Sequence, residues 1–144
     1  MKKIYPKNIK KESGKIQNAE NLLKEKELQI GLMERETTEI KGVGHIVLDY
    51  GKEISGGVRI LTYRVKGNKR IRVRFGESLT ESCAEIGEKN ATNDHSLRDM
   101  TVEVQDFSDM SFGQTGFRFV RIDTLSADTE IELKSVVGVL FEDE

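Results

Sequence analysis

The sequence contains no tryptophan, one cysteine (Cys83), one proline (Pro6) and two histidines (His45 and His95) in 144 residues. A lone cysteine permits no intrachain disulfide, which fits a reducing compartment. The histidines lie far apart and neither belongs to an HExxH pattern, so zinc is not expected. Cationic and anionic residues nearly cancel, leaving a net charge of -2, so the chain as a whole has no pull toward nucleic acid or an anionic membrane. No run approaches the roughly 20 apolar residues that span a bilayer. Ile4-Tyr5-Pro6-Lys7 leads into further lysines instead of the apolar core of a secretory signal, so the expected location is cytoplasmic, with secretion open to a processed chain.

What remains is a polar, charge-rich sequence of single-domain length. Hydrophobic residues make up 36% and charged residues 33%, enough for a core under a well solvated exterior. Residues 1–40 read as a basic N-terminal arm with a short helix and a lead strand, and residues 41–144 as a β-sandwich, the whole forming one compact domain. In the arm, Asn18 is placed to accept an N-terminal backbone N–H, Glu20 suits a first turn, and Leu22 and Leu23 give an apolar spot. Leu28, Ile30 and Leu32 alternate as a strand would. His45 to Gly51 is rich in β-branched residues, Lys52-Glu53 turns the chain into the next strand, and Gly56-Gly57 marks a bulge or close backbone approach near the start of that strand. Lys66-Gly67-Asn68-Lys69 has the composition of a tight hairpin turn. Arg70, Arg72 and Arg74 then alternate with Ile71, Val73 and Phe75, a strand with one cationic and one apolar face that solvent would cover on the cationic side. Further strands follow at Met100–Gln105, Phe117–Asp123 and Asp128–Phe141, with a Ser/Gly/Asp loop over 107–114. Short strands, Gly/Asn/Asp turns and little helix predict an all-β, two-sheet antiparallel jelly-roll sandwich.

The longest polar interruption runs from Gly76 to Asp99. It exceeds the usual length of a structureless connection and lacks the Gly/Ser monotony of a linker, so it should fold over the domain and carry specific groups. Asn90, Asn93, Asp94, His95 and Arg98 lie within it, and Glu77 opens it. Such a run can hydrogen-bond a sugar, bind a hard cation, or satisfy its own backbone through Asx turns. Asn93, Asp94 and Asp99 would offer calcium its preferred oxygen donors, although without EF-hand spacing. Arg118 adds a planar donor, and Phe112, Phe117 or Phe119 could supply the apolar face that a sugar ring stacks on. A glycosidase would need two carboxylates flanking the bond, for which Glu77 and Asp94 are candidates among Glu53, Asp99 and others. Cys83 sits with Leu79 and Ile86 at helical spacing, as a packed side chain would.

A series of segments runs in order along nearly the whole chain: Leu48-Asp49-Tyr50-Gly51-Lys52-Glu53, Gly56-Gly57-Val58-Arg59-Ile60, Arg74-Phe75-Gly76-Glu77-Ser78-Leu79, Asn90 to Asp99, and Thr115 to Ile122. Together they resemble the N-terminal β-sandwich region of bacterial α-L-rhamnosidases of glycoside hydrolase family 78. The resemblance implies a jelly-roll, carbohydrate-binding-module-like accessory domain that precedes an (α/α)6 catalytic barrel. Its partners would be an L-rhamnose-containing carbohydrate or that barrel. Some related sandwiches are rhamnose-binding modules that use a bound calcium. The residues that perform hydrolysis in such enzymes would lie beyond this sequence, so the resemblance assigns no catalytic residue here.

Overall fold

The computed structural model describes residues 2–26, 36–78 and 99–140, apart from the side chain of Gln114. The strands are β1 (Lys2–Ile4), β2 (Asn8–Gln17), β3 (Thr38–Lys66), β4 (Arg70–Gly76), β5 (Asp99–Glu103), β6 (Asp109–Thr124) and β7 (Glu130–Leu140), and every pairing is antiparallel. Neighbours run in the order β1-β7-β3-β6-β4-β5, and β2 lies on the free edge of β3.

The two layers share their longest strands. At about 3.3 Å per residue a straight β3 would outrun any domain of this size, so β3 bends. Its first half pairs with β2 and with the second half of β6; after a register break between Asp49 and Ile54, its second half pairs with β7 and with the first half of β6. The bend brings both ends of β3 to the same partner. Ile131 of β7 lies opposite Ile40 on one edge and Val65 on the other, and Leu133 lies opposite Thr38 and Thr62. The result is an antiparallel jelly-roll sandwich.

The core fills the space between the layers. Ile46 and Leu48 of β3, Val120 and Ile122 of β6, and Ile71, Val73 and Phe75 of β4 meet Ile54, Val58 and Ile60 of β3 and Val136 of β7. Val136, Val137 and Val139 are all buried, as their continuous apolar run suggests. The Gly56-Gly57 expectation also holds, since the β3–β6 register shifts between Gly56 and Val58.

Four local expectations change. The short helix is a 3₁₀ turn over Ala19–Leu23; Asn18 stands in the left-handed region at φ 59°, where its side chain makes no cap and its backbone oxygen accepts from Asn21 N at 3.0 Å. Lys66 to Lys69 is no hairpin turn, because β3 and β4 do not pair; it carries the chain from β7's neighbour to β6's neighbour, with Gly67 at φ 72° and Asn68 Oδ1 accepting from Arg70 N. Lys52-Glu53 does not reverse the chain but lies in the register break inside β3. Most of the Ser/Gly/Asp stretch over 107–114 is strand, since pairing of Asp109 to Phe112 with Val58 to Leu61 overrides weak β-propensity. The strand expected around Leu28 to Leu32 lies outside the described residues.

Candidate functional site

Of the residues singled out as a site, Glu77, Asp99 and Arg118 are described; Asn90, Asn93, Asp94, His95 and Arg98, like Cys83, lie outside the described residues. The three that are described fall on the layer made by β3, β6, β4 and β5. Gly76 at the end of β4 lies opposite Phe119 of β6, and Phe119 lies opposite Asp49 of β3. Glu77 and Arg118 therefore flank one cross-strand row.

Arg118 is held by a residue that the sequence reading did not assign. Its Nε and Nη2 donate to Asp49 Oδ1 and Oδ2 at 2.9 and 3.1 Å, while its guanidinium stands 5.1 Å from the centre of the Phe119 ring. The Asp49 side chain is 1% exposed, also accepts from Gly51 N at 2.8 Å, and has Lys10 Nζ at 3.9 Å. An acidic residue inside a β-branched strand is the available sequence signal, because a buried carboxylate requires a partner. The hydrogen bonds from Arg118 hold the Asp49 carboxyl below its ordinary 3.8, against the opposing effect of burial. The folded value being the lower one, the stability that this group contributes is complete above 3.8 and is lost as pH falls through the folded value. Asp49→Asn should cost about 2 kcal/mol near neutral pH. In urea unfolding followed across pH, the difference from the parent should shrink as pH falls below 3.8; a constant difference would contradict the assignment.

Asp99 is likewise committed. Its two oxygens accept from Arg72 Nε and Nη2 at 2.8 and 2.5 Å. The other two expected calcium donors, Asn93 and Asp94, lie outside the described residues, and among the described residues no group of three or more His, Cys, Asp or Glu could hold a metal ion. The arginine stripe is consequently not a solvated face. Arg70 is exposed, but Arg72 faces Asp99, and Arg74, 3% exposed, donates to Asp123 Oδ1 at 3.2 Å. Arg121 engages both Asp123 oxygens at 2.9 Å. The acids come from the neighbouring strands β5 and β6, whose register was not visible in the Arg/apolar alternation itself. Beside this cluster His45 is half-buried; burial and the Arg121 charge lower its pKa.

Two more carboxylates converge at Gly116 of β6. A Cβ there would stand 3.0 Å from Glu53 Oε1 and 3.2 Å from Glu77 Oε1, so the absence of a side chain leaves the space in which both groups lie. Both carboxylates have bonding partners. Glu53 is thus the acid that the structure brings to Glu77, whereas Asp94 lies outside the described residues.

The aromatic candidates are mostly core. Phe117 is fully buried, edge-on to Tyr50 and Phe75 at 5.7 and 5.1 Å; Phe119 is 7% exposed. Phe112 is half-buried. Among the described residues the exposed ring is Phe107, 49% accessible and packed edge-on against Tyr63 at 5.2 Å. Its φ of 51° is unusual for a bulky side chain and costs on the order of 1–3 kcal/mol. Its polar setting, Asp106-Phe107-Ser108, gives a residue reading no hint of that ring.

With this geometry established, the relatives can be placed. A family model described as the bacterial alpha-L-rhamnosidase concanavalin-like domain matches residues 39–141. Comparison with curated proteins gives no match. Among solved structures, a rhamnosidase from Klebsiella oxytoca with rhamnose bound superposes with TM-score 0.54 at 16% identity, covering 69% of this chain and 21% of that one. The chain therefore spans about a fifth of that enzyme's length. The family 32 carbohydrate-binding module of Streptococcus pneumoniae EndoD superposes with TM-score 0.55 at 9% identity, covering 97% of this chain and 100% of that one. Reduced XRCC1 bound to the DNA polymerase β catalytic domain gives TM-score 0.61 at 15% identity over 98% and 100% of the two chains. At such identities these likenesses concern the fold.

Proposed function

Because the chain belongs to the bacterial α-L-rhamnosidase concanavalin-like domain family, we propose that it is a non-catalytic accessory β-sandwich of an α-L-rhamnosidase-like glycoside hydrolase that contacts the carbohydrate substrate. The observation that carries this reading is the family match over residues 39–141. Two likenesses support it: the fold is shared with a rhamnosidase that has rhamnose bound and, over nearly the entire chain, with a carbohydrate-binding module. The ion pairs agree with a non-catalytic role. Asp49, Asp99, Asp109 and Asp123 all accept from arginine, which fits them for holding strands together and not for proton transfer at a glycosidic oxygen.

The proposed contact surface includes Glu77 and Arg118, together with Asn90, Asn93, Asp94, His95 and Arg98 of the sequence between Gly76 and Asp99. Arg118 is 43% exposed, so one side of its guanidinium is open to a ligand while Asp49 fixes the other. A second reading, support of the catalytic barrel without sugar affinity, is favoured by the extent to which the arginines are already satisfied within the sandwich.

Calorimetric titration of the chain with L-rhamnose, with and without calcium, separates the two. Heat of binding that Arg118→Ala abolishes, with the fold retained by circular dichroism, is the expected result. An absence of heat in both conditions would leave the supporting role and overturn the binding role.

A further inference from the structure

The N-terminal arm builds a cavity whose lining includes neither Glu77 nor Arg118. It encloses about 350 Å³, within the range of small-ligand sites. Lys2, Lys3, Lys7 and Lys52 line it, with Glu25 as the sole acid among the lining residues. Lys2 and Lys3 are fixed by pairing of β1 with the end of β7. Lys7 N donates to Asp49 O at 2.7 Å, and Gly51 leaves room for the Lys7 stem, whose Cγ would be 3.0 Å from a Cβ at that position.

The aromatic side chains of the wall are packed inward. Tyr5 and Tyr50 line the cavity, but Tyr5 Oη donates to Lys26 O at 2.6 Å and Tyr50 Oη to Val136 O at 2.8 Å, so both hydroxyls are already used as donors. Ile4, Tyr5 and Tyr50 are buried and close the floor of the cavity, so the exposed lysines supply the groups that a ligand would meet. None of the four lysines forms an ion pair with a described residue, whereas Lys10, Lys24 and Lys41 all do. The arm and Lys52 therefore gather four positive charges and one acid around a concavity, although the whole chain carries a net charge of -2. An excess of four cations over one acid around a cavity favours an anionic occupant.

We propose that this cavity binds a carboxylate-bearing sugar unit, a uronate within a glycan, with the lysines around its carboxylate. The sugar part of this inference rests on the carbohydrate-contacting role proposed above; the charge part rests on the cavity alone. It would make the domain a reader of acidic glycans at a place distinct from the Glu77–Arg118 surface.

The test is calorimetric titration of the full chain with trigalacturonate and with neutral galactotriose at low ionic strength. Trigalacturonate should bind, galactotriose should not, and the Lys7→Gln/Lys52→Gln protein should bind trigalacturonate about tenfold more weakly. The Lys66→Gln/Lys69→Gln protein, with the same loss of charge outside the cavity, should retain parental affinity. Equal weakening in the two double variants, equal binding of the neutral trimer, or no binding of trigalacturonate would each overturn the inference. L-rhamnose titrated into the same proteins keeps the two ideas apart. Rhamnose binding in all of them without trigalacturonate binding sinks the acidic-sugar inference alone, and silence toward both sugars sinks the carbohydrate-contacting role with it.

Discussion

Asp123→Ala should lower the stability of the domain by about 3–5 kcal/mol, the usual cost of removing one partner from a buried ion pair. Asp123 is 14% exposed and is shared by Arg74, whose side chain is 4% exposed, and Arg121 at 17%. Without it, two guanidinium groups in the middle of the β4–β6 ladder lose an acceptor, and Arg74 Nε already lacks a hydrogen-bond partner in the structure. The appropriate control is Asp109→Ala. Arg59 grips Asp109 through a similar bidentate contact, but the two side chains are 30% and 35% exposed, so water can replace the lost bonds. That substitution should cost about 1 kcal/mol or less. Urea unfolding of the two variants beside the parent measures both values. Similar losses at the two sites would show that burial does not set the cost, and the account of Asp123 as the keystone of the arginine stripe would fail.

This contrast also explains what the sequence could and could not disclose. Alternation at Arg70 to Phe75 identifies a strand and its apolar face correctly, because inward residues recur with period two whatever the partner strand is. It cannot say what the arginines meet. Asp123 lies 49 residues from Arg74, and Asp49 lies 69 from Arg118, so both pairs depend on which strands become neighbours. The same limit explains the Lys66–Lys69 error: hairpin composition describes a local reversal, but whether the flanking strands pair is decided by β6 and β7, far along the chain. Local rules failed differently at Phe107, where a left-handed backbone holds a bulky ring that composition assigns to an ordinary polar loop. For the candidate site, the ordered series of segments identified the family, yet family resemblance does not say whether Arg118 is free for a ligand. The structure shows it anchored on one side by Asp49 and partly open on the other.

Gly57→Ala should be among the most damaging substitutions of a small residue. Gly57 is buried where β3 changes register against β6, with Val139 of β7 opposite it on the other edge. A Cβ there would lie 2.5 Å from Gly113 O and 2.8 Å from Phe112 O. These are backbone oxygens of a paired strand, and no side-chain rotation can move them aside. Relief requires β6 to separate from β3 at the register shift between Gly56 and Val58, opening the ladder that also carries Asp49 and Arg118. Overpacking of this kind costs about 3 kcal/mol, which for a domain of this size should lower the melting temperature by roughly 10 °C. Gly116→Ala on the same ladder tests the reasoning, since its Cβ would meet only the Glu53 and Glu77 carboxylate ends at 3.0 and 3.2 Å. Flexible side chains can withdraw by that distance, so the loss should stay near 1 kcal/mol or below. Calorimetric melting of both variants decides between a rigid backbone clash and a general intolerance of side chains along this ladder: equal losses would favour the latter, and a much larger loss at Gly57 confirms that the closeness of the β3 and β6 backbones there sets the register of the sandwich.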